Sequence, residues 1–143
     1  MHYTKLLVVA GLLLSIAACK KEYEATVTVK DKLMAKKWKS TGLVAGGAVK
    51  TKWCWLNSIY EYTESGSFYY TQGDDLGACS GANIGEISSF PYKLSADEKY
   101  LIILKTWPSA ADTFEIISVS SELLKTKRVV NGSEVWEDTF TAQ

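Results

Sequence analysis

The sequence predicts an all-β domain in which eight antiparallel strands run up and down and close into a barrel, after one short helical turn. Short segments of alternating apolar and polar residues recur about every ten residues from Trp38 onward, with turn-forming residues between them. No long apolar helical period interrupts this pattern. A flat meander of eight strands would leave long unpaired edges, which closure removes. A β-sandwich is the alternative, because the spacing of turns does not distinguish closure from stacking.

Each predicted strand is a short run between turn signals. The eight runs are residues 38–45, 58–63, 67–72, 89–94, 100–105, 113–119, 123–129 and 134–141. Gly66 and Asn131-Gly132 supply hairpin turns that need positive φ. Pro91 has no N–H to give to a ladder, so we expect it at an edge, a bulge or a strand start. Asp31 is expected to cap the helical turn, which covers residues 31–36.

The N-terminus carries an apolar run from Leu6 to Ala18, thirteen residues long, after a short head with one lysine. As a helix this run would reach roughly 20 Å, less than the ~30 Å hydrocarbon core of a bilayer. That anatomy is typical of a secretory signal peptide. Ile16-Ala17-Ala18-Cys19 resembles a bacterial lipobox, which implies removal of residues 1–18 and acylation of Cys19, palmitate included. An ordinary signal peptide cut nearby is the alternative.

The resemblance to a lipoprotein implies that the mature chain is located in the cell envelope. Residues 19–30 then form the acylated N-terminus and a linker, and residues 31–143 form the domain. Two or more acyl chains hold a protein firmly on a membrane. Among lipoproteins with this signal, Lys20 after the cysteine implies the outer membrane of a Gram-negative cell. Both the periplasmic face and the cell surface fit this location.

Composition and charge argue against several classes of function. The chain has 16 lysines and arginines against 16 aspartates and glutamates, so no nucleic-acid partner is expected. Its one histidine, His2, leaves with the signal peptide, and no Gly-x-Ser-x-Gly motif is present. We therefore predict a protein that is not an enzyme and that holds no metal or cofactor.

Cys54 and Cys79 remain once Cys19 is acylated, and an even pair in an oxidising compartment predicts a disulfide. Closing a loop of about 26 residues would restrict the unfolded chain by roughly 3–4 kcal/mol in the entropy model. The competing interpretation is a metal or redox site. It finds no support in a Cys-x-x-Cys motif or in a histidine of the mature chain. The disulfide is therefore the prediction.

Several short motifs follow one another along the chain: Lys36-Lys37-Trp38, Cys54, Tyr60-Glu61-Tyr62, Gly66-Ser67-Phe68, Cys79, Phe90-x-Tyr92-x-Leu94 and Phe114-x-Ile116. In this order they resemble the lipocalin-like domains of bacterial outer-membrane lipoproteins, which fold as calycin-type barrels. Lys36 stands where lipocalins proper carry the glycine of a Gly-x-Trp motif. The resemblance implies an eight-stranded barrel on a membrane anchor.

The first functional hypothesis is a non-catalytic binding module whose barrel takes a small apolar or amphipathic ligand. Alternation predicts which large side chains face inward, and large aromatic rings give a ligand much contact area. The candidates for ligand contact are Trp38, Tyr60, Tyr62, Phe68, Tyr70, Phe90, Tyr92, Trp136 and Phe140, with Phe114 and Ile116 also facing inward. The same residues would build a solid core, and we expect most of them to do so.

The second hypothesis is a surface or periplasmic module that binds a protein partner, for example as an enzyme inhibitor, around a solid barrel core. It rests on the glycine-rich loop of residues 73–85, which the predicted disulfide would hold near one end. A loop that is held in place loses less entropy when it binds a partner. A loop that is fixed only for stability would look the same in the sequence.

Overall fold

A computed structural model describes residues 26–52, 55–73, 85, 87–104 and 111–143. One short helix and nine strands occupy these ranges. In chain order they are α1 (Val29–Met34), β1 (Lys37–Ala45), β2 (Ala48–Val49), β3 (Ile59–Tyr62), β4 (Ser67–Thr71), β5 (Ile87–Leu94), β6 (Tyr100–Ile103), β7 (Asp112–Val119), β8 (Leu123–Val130) and β9 (Glu134–Ala142). Among the described residues, no helix has the length and apolar content that a membrane span requires.

The strands form an antiparallel barrel that closes between its first and last members. Strands β1 and β3 to β9 are neighbours in chain order, and β1 also pairs with β9. This last ladder runs from Trp38 opposite Ala142 to Ala45 opposite Trp136, with one irregularity between Ser40 and Gly42. The predicted eight-stranded barrel is therefore confirmed, and the β-sandwich alternative is wrong.

Most strand bounds agree with the alternation of the sequence. The extra strand, β2, was not predicted, because both of its residues are exposed and so carry no pattern of burial. It pairs only with the end of β1, beyond the Gly46-Gly47 turn. Strand β5 starts at Ile87, two residues earlier than predicted, because Ile87 pairs with Thr71 although its side chain is exposed.

The predicted turns have the expected backbone. Gly66 has φ 81°, and Asn131 and Gly132 have φ 51° and 79°. Pro91 lies inside β5 rather than at its start. The Pro91 carbonyl accepts the Leu104 N–H at 2.8 Å. In an antiparallel strand the nitrogen and the carbonyl of one residue point to the same neighbouring strand, so the Pro91 nitrogen also faces β6. The β5–β6 ladder begins only at Tyr92, so the missing N–H falls where this ladder ends.

Helix α1 begins two residues earlier than predicted, and its cap is Thr28. The Thr28 hydroxyl oxygen accepts the Asp31 N–H at 3.1 Å, and the Asp31 carboxylate accepts the Thr28 N–H at 3.0 Å. The expectation that Asp31 caps the helix was wrong, because Asp31 is the third helical residue of a capping box. The Val29 N–H also donates to the Glu98 carboxylate at 2.8 Å, which ties the helix to the β5–β6 turn.

Helix α1 closes one end of the barrel. It packs on β3 and on β7, which lie across the barrel from each other in the strand order. Leu33 and Trp38 are both fully buried, and the indole N–H of Trp38 donates to the Leu33 carbonyl at 2.9 Å. Lys36, at the position of the lipocalin glycine, is exposed, so its side chain does not enter this packing.

Gly73 follows β4 and passes directly against the backbone of Asn57 and Ser58. A Cβ atom on Gly73 would lie 2.4 Å from the carbonyl carbon of Asn57, well inside contact distance. The Gly73 N–H donates to the hydroxyl of the buried Ser58 at 3.0 Å. The close approach therefore requires a residue without a side chain.

Replacing Gly73 by alanine is expected to lower the free energy of unfolding by about 1–3 kcal/mol, because the backbone must shift to admit the methyl group. Gly42→Ala is the matched control, since its methyl would meet the Thr139 Cβ at an ordinary 3.6 Å. We expect this control to change stability by less than about 1 kcal/mol. Urea denaturation measures both, and equal stabilities for the two variants would contradict the close approach at Gly73.

Candidate functional site

The barrel contains a half-open cavity of about 240 Å³, which is the candidate site. Aromatic rings form most of its wall, and polar side chains of β8 and β9 form one part of it. The lining residues are Trp55, Tyr60, Tyr62, Phe68, Tyr70, Ser88, Phe90, Leu101, Ile103, Asp112, Phe114, Thr126, Arg128, Asp138 and Phe140. They come from β3 to β9 and from the segment before β3, so barrel closure brings them together.

The aromatic wall is a continuous set of ring contacts. The ring centroid of Tyr60 lies 5.0 Å from that of Phe140, 5.4 Å from that of Tyr70 and 5.7 Å from that of Phe68. The Tyr62 ring stacks on Phe68 at 5.2 Å. Tilted and edge-on contacts at these distances are favourable for aromatic pairs and restrict ring motion. The wall is therefore shaped before any ligand arrives.

Most of the polar part of the wall is built by one face of β8 and one face of β9, and Ser88 of β5 and Asp112 of β7 add to it. Thr126 lies opposite Asp138, and Arg128 lies opposite Trp136 in the next inward row. The Arg128 Nε atom is 3.6 Å from an Asp138 carboxylate oxygen, and the two side chains are 14% and 8% exposed. Leu124, on the same face of β8, belongs to the core with Trp38. The ion pair thus lies on the side of the cavity away from α1.

The guanidinium of Arg128 is surrounded by rings as well as paired with a carboxylate. Its central carbon lies 5.0 Å from the ring centroids of Phe114 and Trp136 and 5.5 Å from that of Trp55. Cation–π contacts of this kind contribute roughly 0.5–2 kcal/mol each, the upper value when the cation is desolvated. The charge of Arg128 is therefore compensated inside the protein.

Burial shifts the pKa of four ionisable groups that line the cavity. It raises the pKa of the Asp138 carboxyl, and the nearby Arg128 opposes this only in part. It also raises the pKa of the Tyr60, Tyr62 and Tyr70 hydroxyls, so these phenols are neutral at pH 7. They offer hydrogen bonds to a ligand without adding charge.

Within the described ranges, three buried polar atoms of this site have no hydrogen-bond partner: the Thr126 hydroxyl oxygen, the Arg128 Nε and one Asp138 carboxylate oxygen. The ion pair at 3.6 Å is longer than a hydrogen bond. Buried polar groups in folded proteins are almost always hydrogen-bonded. Apart from the long Arg128–Asp138 ion pair, the polar part of the wall therefore has hydrogen-bonding capacity that the described residues leave unused.

The structure divides the nine predicted contact residues into three groups. Six line the cavity: Tyr60, Tyr62, Phe68, Tyr70, Phe90 and Phe140. Trp38 and Tyr92 belong to the buried core but do not line the cavity, and the Tyr92 hydroxyl donates to the Thr63 carbonyl at 2.9 Å. Trp136 packs under Arg128 and lines an outer pocket. Of the other two inward residues, Phe114 lines the cavity and Ile116 packs on the core.

Sequence reasoning missed the polar residues of the wall, above all Thr126, Arg128 and Asp138. A signal for them was present. Asp138 lies two residues from each of the inward candidates Trp136 and Phe140, so alternation puts all three on one face. The general expectation that charged residues face solvent concealed this.

The cysteine predictions and most of the glycine-rich loop fall outside the described residues. Cys19, Cys54 and Cys79 are all in this position, as are residues 74–84. At the ends of the loop, the Gly85 N–H donates to the Gln72 carbonyl at 3.0 Å. The acylation, the disulfide and the protein-partner alternative all stay predictions. Across the described ranges, no group of three or more histidine, cysteine, aspartate or glutamate side chains could hold a metal ion.

Comparison with known proteins places the fold. No protein-family model and no curated protein matches the chain. Among solved structures, the chain is similar to a lipocalin-like protein from Bacteroides uniformis, with a TM-score of 0.51 and 16% sequence identity. The likeness covers 78% of this chain and 99% of that one. At this identity it shows the fold alone, and the predicted lipocalin-like barrel is confirmed.

The raised pKa of Asp138 predicts how stability depends on pH. Between its ordinary value of 3.8 and its folded value, the folded state binds more protons than the unfolded state. The contribution of Asp138 to the free energy of unfolding is therefore fully present below its ordinary pKa. That contribution is lost as the pH rises through the pKa of Asp138 in the folded protein. As pH falls from about 7 towards 4, wild type should gain stability relative to Asp138→Asn, by up to about 1.4 kcal/mol per pH unit.

Denaturation of both proteins at a series of pH values measures this difference. Glu137→Gln, which removes an exposed carboxylate from the outer face of the same strand, is the matched control for loss of a carboxylate. A difference between wild type and Asp138→Asn that stays flat or shrinks on acidification would contradict the raised pKa.

Proposed function

We propose that this protein is a non-catalytic binding module whose barrel cavity takes one small, mainly apolar molecule. The observation that carries the proposal is the cavity of about 240 Å³, walled by interlocked aromatic rings, inside a lipocalin-like barrel. Concave sites with apolar, aromatic walls and a few placed polar groups are the usual form of small-molecule sites. Apolar cavities of this size stay dry and bind apolar molecules.

The volume limits the size of the ligand. A cavity of about 150 Å³ takes benzene, which corresponds to about 25 Å³ for each non-hydrogen atom. At that density the cavity of about 240 Å³ takes about ten non-hydrogen atoms. The part of the ligand that lies inside the cavity therefore has the size of a two-ring aromatic compound or a short branched chain.

The electrostatics of the wall support binding over catalysis. Arg128 and Asp138 compensate each other, and the phenols of the three lining tyrosines are neutral. Nucleophilic catalysis needs an activated side chain beside a base. These lining groups instead offer shape and hydrogen bonds.

We propose further that the module is held on the outer membrane through acylated Cys19, at its periplasmic face or at the cell surface. The support is the apolar run, the cleavage pattern before Cys19 and the following Lys20. Helix α1 starts at Val29, so a short segment joins the anchor to the closed end of the barrel. The cavity would then sample small molecules of the cell envelope.

Naphthalene, with ten carbon atoms, is expected to bind with a dissociation constant on the order of 10–100 μM and to shift the NMR signals of cavity-lining residues. Ser88→Trp should abolish binding, because Ser88 lines the cavity and the indole would fill it. Ser89→Trp, on the exposed face of the same strand, is the matched control and should bind as wild type does. Wild-type protein that shows no shifts would contradict the proposed function.

Acylation is tested separately in cells that grow on labelled palmitate. Wild type is expected to carry the label and to sediment with membranes, since several acyl chains give firm attachment. Cys19→Ser should lose the label and accumulate as an unprocessed or released form. An unlabelled wild-type protein would rule out the anchor without bearing on the cavity.

A further inference from the structure

Two polar groups that face each other across β8 and β9 form the least satisfied part of the cavity wall. Thr126 and Asp138 are opposite in register and both line the cavity. They are 2% and 6% exposed. Among the described residues the Thr126 hydroxyl oxygen has no hydrogen-bond partner, and the Asp138 oxygen without one is the oxygen that faces Arg128 Nε at 3.6 Å. Leaving such groups unpaired in a protein interior is costly, and a ligand that pairs with them gains that energy.

The chemistry of the two groups defines what a ligand must offer. An ionised carboxylate only accepts hydrogen bonds, whereas a threonine hydroxyl both donates and accepts. A group that donates to Asp138 and accepts from Thr126 satisfies both at once. A hydroxyl group does this with a single atom.

Charge decides against the ionised groups that a ligand could carry. A ligand carboxylate would place a second negative charge beside Asp138, and an ammonium group would place a second positive charge near Arg128. A ligand anion would have to compete with Asp138 for Arg128, because the Arg128 Nε already faces that carboxylate and three rings surround the guanidinium. The pair is neutral as a whole, so a neutral ligand group causes no like-charge repulsion.

We infer that the ligand of this cavity is an alcohol or a phenol, with an apolar body of about ten non-hydrogen atoms and a neutral hydroxyl group hydrogen-bonded to Thr126 and Asp138. This inference rests on the proposed function, since it assigns a chemical class to the ligand of the same cavity. The aromatic rings select the size and shape of the ligand. The Thr126–Asp138 pair selects its hydroxyl group and rejects the corresponding acid.

Three probes with the same two-ring body test the assignment: naphthalene, 2-naphthol and 2-naphthoate. Titration of the purified wild-type protein with each probe, followed by NMR, gives three dissociation constants. We expect 2-naphthol to bind about tenfold or more tightly than naphthalene, because it gains charge-assisted hydrogen bonding. We expect 2-naphthoate to bind more weakly than naphthalene, because its charge is repelled and must be desolvated.

Two variants then test whether the preference for 2-naphthol over naphthalene depends on the Thr126–Asp138 pair. Thr126→Val keeps the shape of the side chain and removes its hydroxyl, so the ratio of the 2-naphthol and naphthalene affinities should fall about fivefold or more. Thr139→Val makes the same change on the outer face of β9 and should keep the wild-type ratio. Asp138→Asn is the second variant, and it should also reduce the ratio.

The outcomes separate this inference from the proposed function. Equal binding of naphthalene and 2-naphthol would overturn the hydroxyl assignment and leave the apolar cavity in place. Tightest binding of 2-naphthoate would overturn it as well, since Arg128 would then receive an anion. A preference for 2-naphthol that survives both Thr126→Val and Asp138→Asn would also count against it. Failure of all three probes to bind would remove the proposed function itself.

Discussion

Strand β1 is hydrogen-bonded to β9 from Trp38 to Ala45, and this ladder turns a meander into a barrel. Once the sheet is closed, every second side chain of eight strands must fit into one interior of fixed width. Helix α1 and Trp38 take up the space at one end. The rings of β3, β4, β5 and β9 take up the middle, and they meet edge to face around a cavity rather than filling it. Closure thus determines which residues meet and how much room they leave.

The same closure accounts for the buried ion pair. Asp138 and Arg128 occupy inward positions of paired strands, so closure keeps most of each side chain away from solvent. Desolvation of two charges costs several kcal/mol for each, and mutual attraction at 3.6 Å together with the surrounding rings offsets part of that cost. Such an arrangement is weak evidence for stability. It gives an otherwise apolar cavity one polar side.

The architecture could be predicted from the sequence because alternation, glycine turns and strand length are local properties. Gly66 and Asn131-Gly132 have the positive φ that their residue types suggested. The strand β2 escaped prediction because exposed residues leave no alternation to detect. Asp31 was assigned the wrong role because two candidate caps, Thr28 and Asp31, lie within one turn and only the backbone geometry distinguishes them.

The cavity could not be predicted, because a pattern of inward residues gives their identity and not the volume left between them. That volume depends on barrel shape and on the rotamer of each ring. The polar side of the cavity was within reach of the sequence, since Asp138 shares the face of Trp136 and Phe140. Its position contradicts the usual placement of charged residues, and such contradictions are found at functional sites.

Barrel closure leaves an accessible apolar cavity among the rings of β3, β4, β5, β7 and β9. Crystals of the protein held under xenon gas test this, because xenon enters dry apolar cavities without needing any particular polar group. Electron density for xenon is expected between Tyr60, Phe90 and Phe114. An interior without xenon, in which these rings contact one another across the barrel, would contradict it.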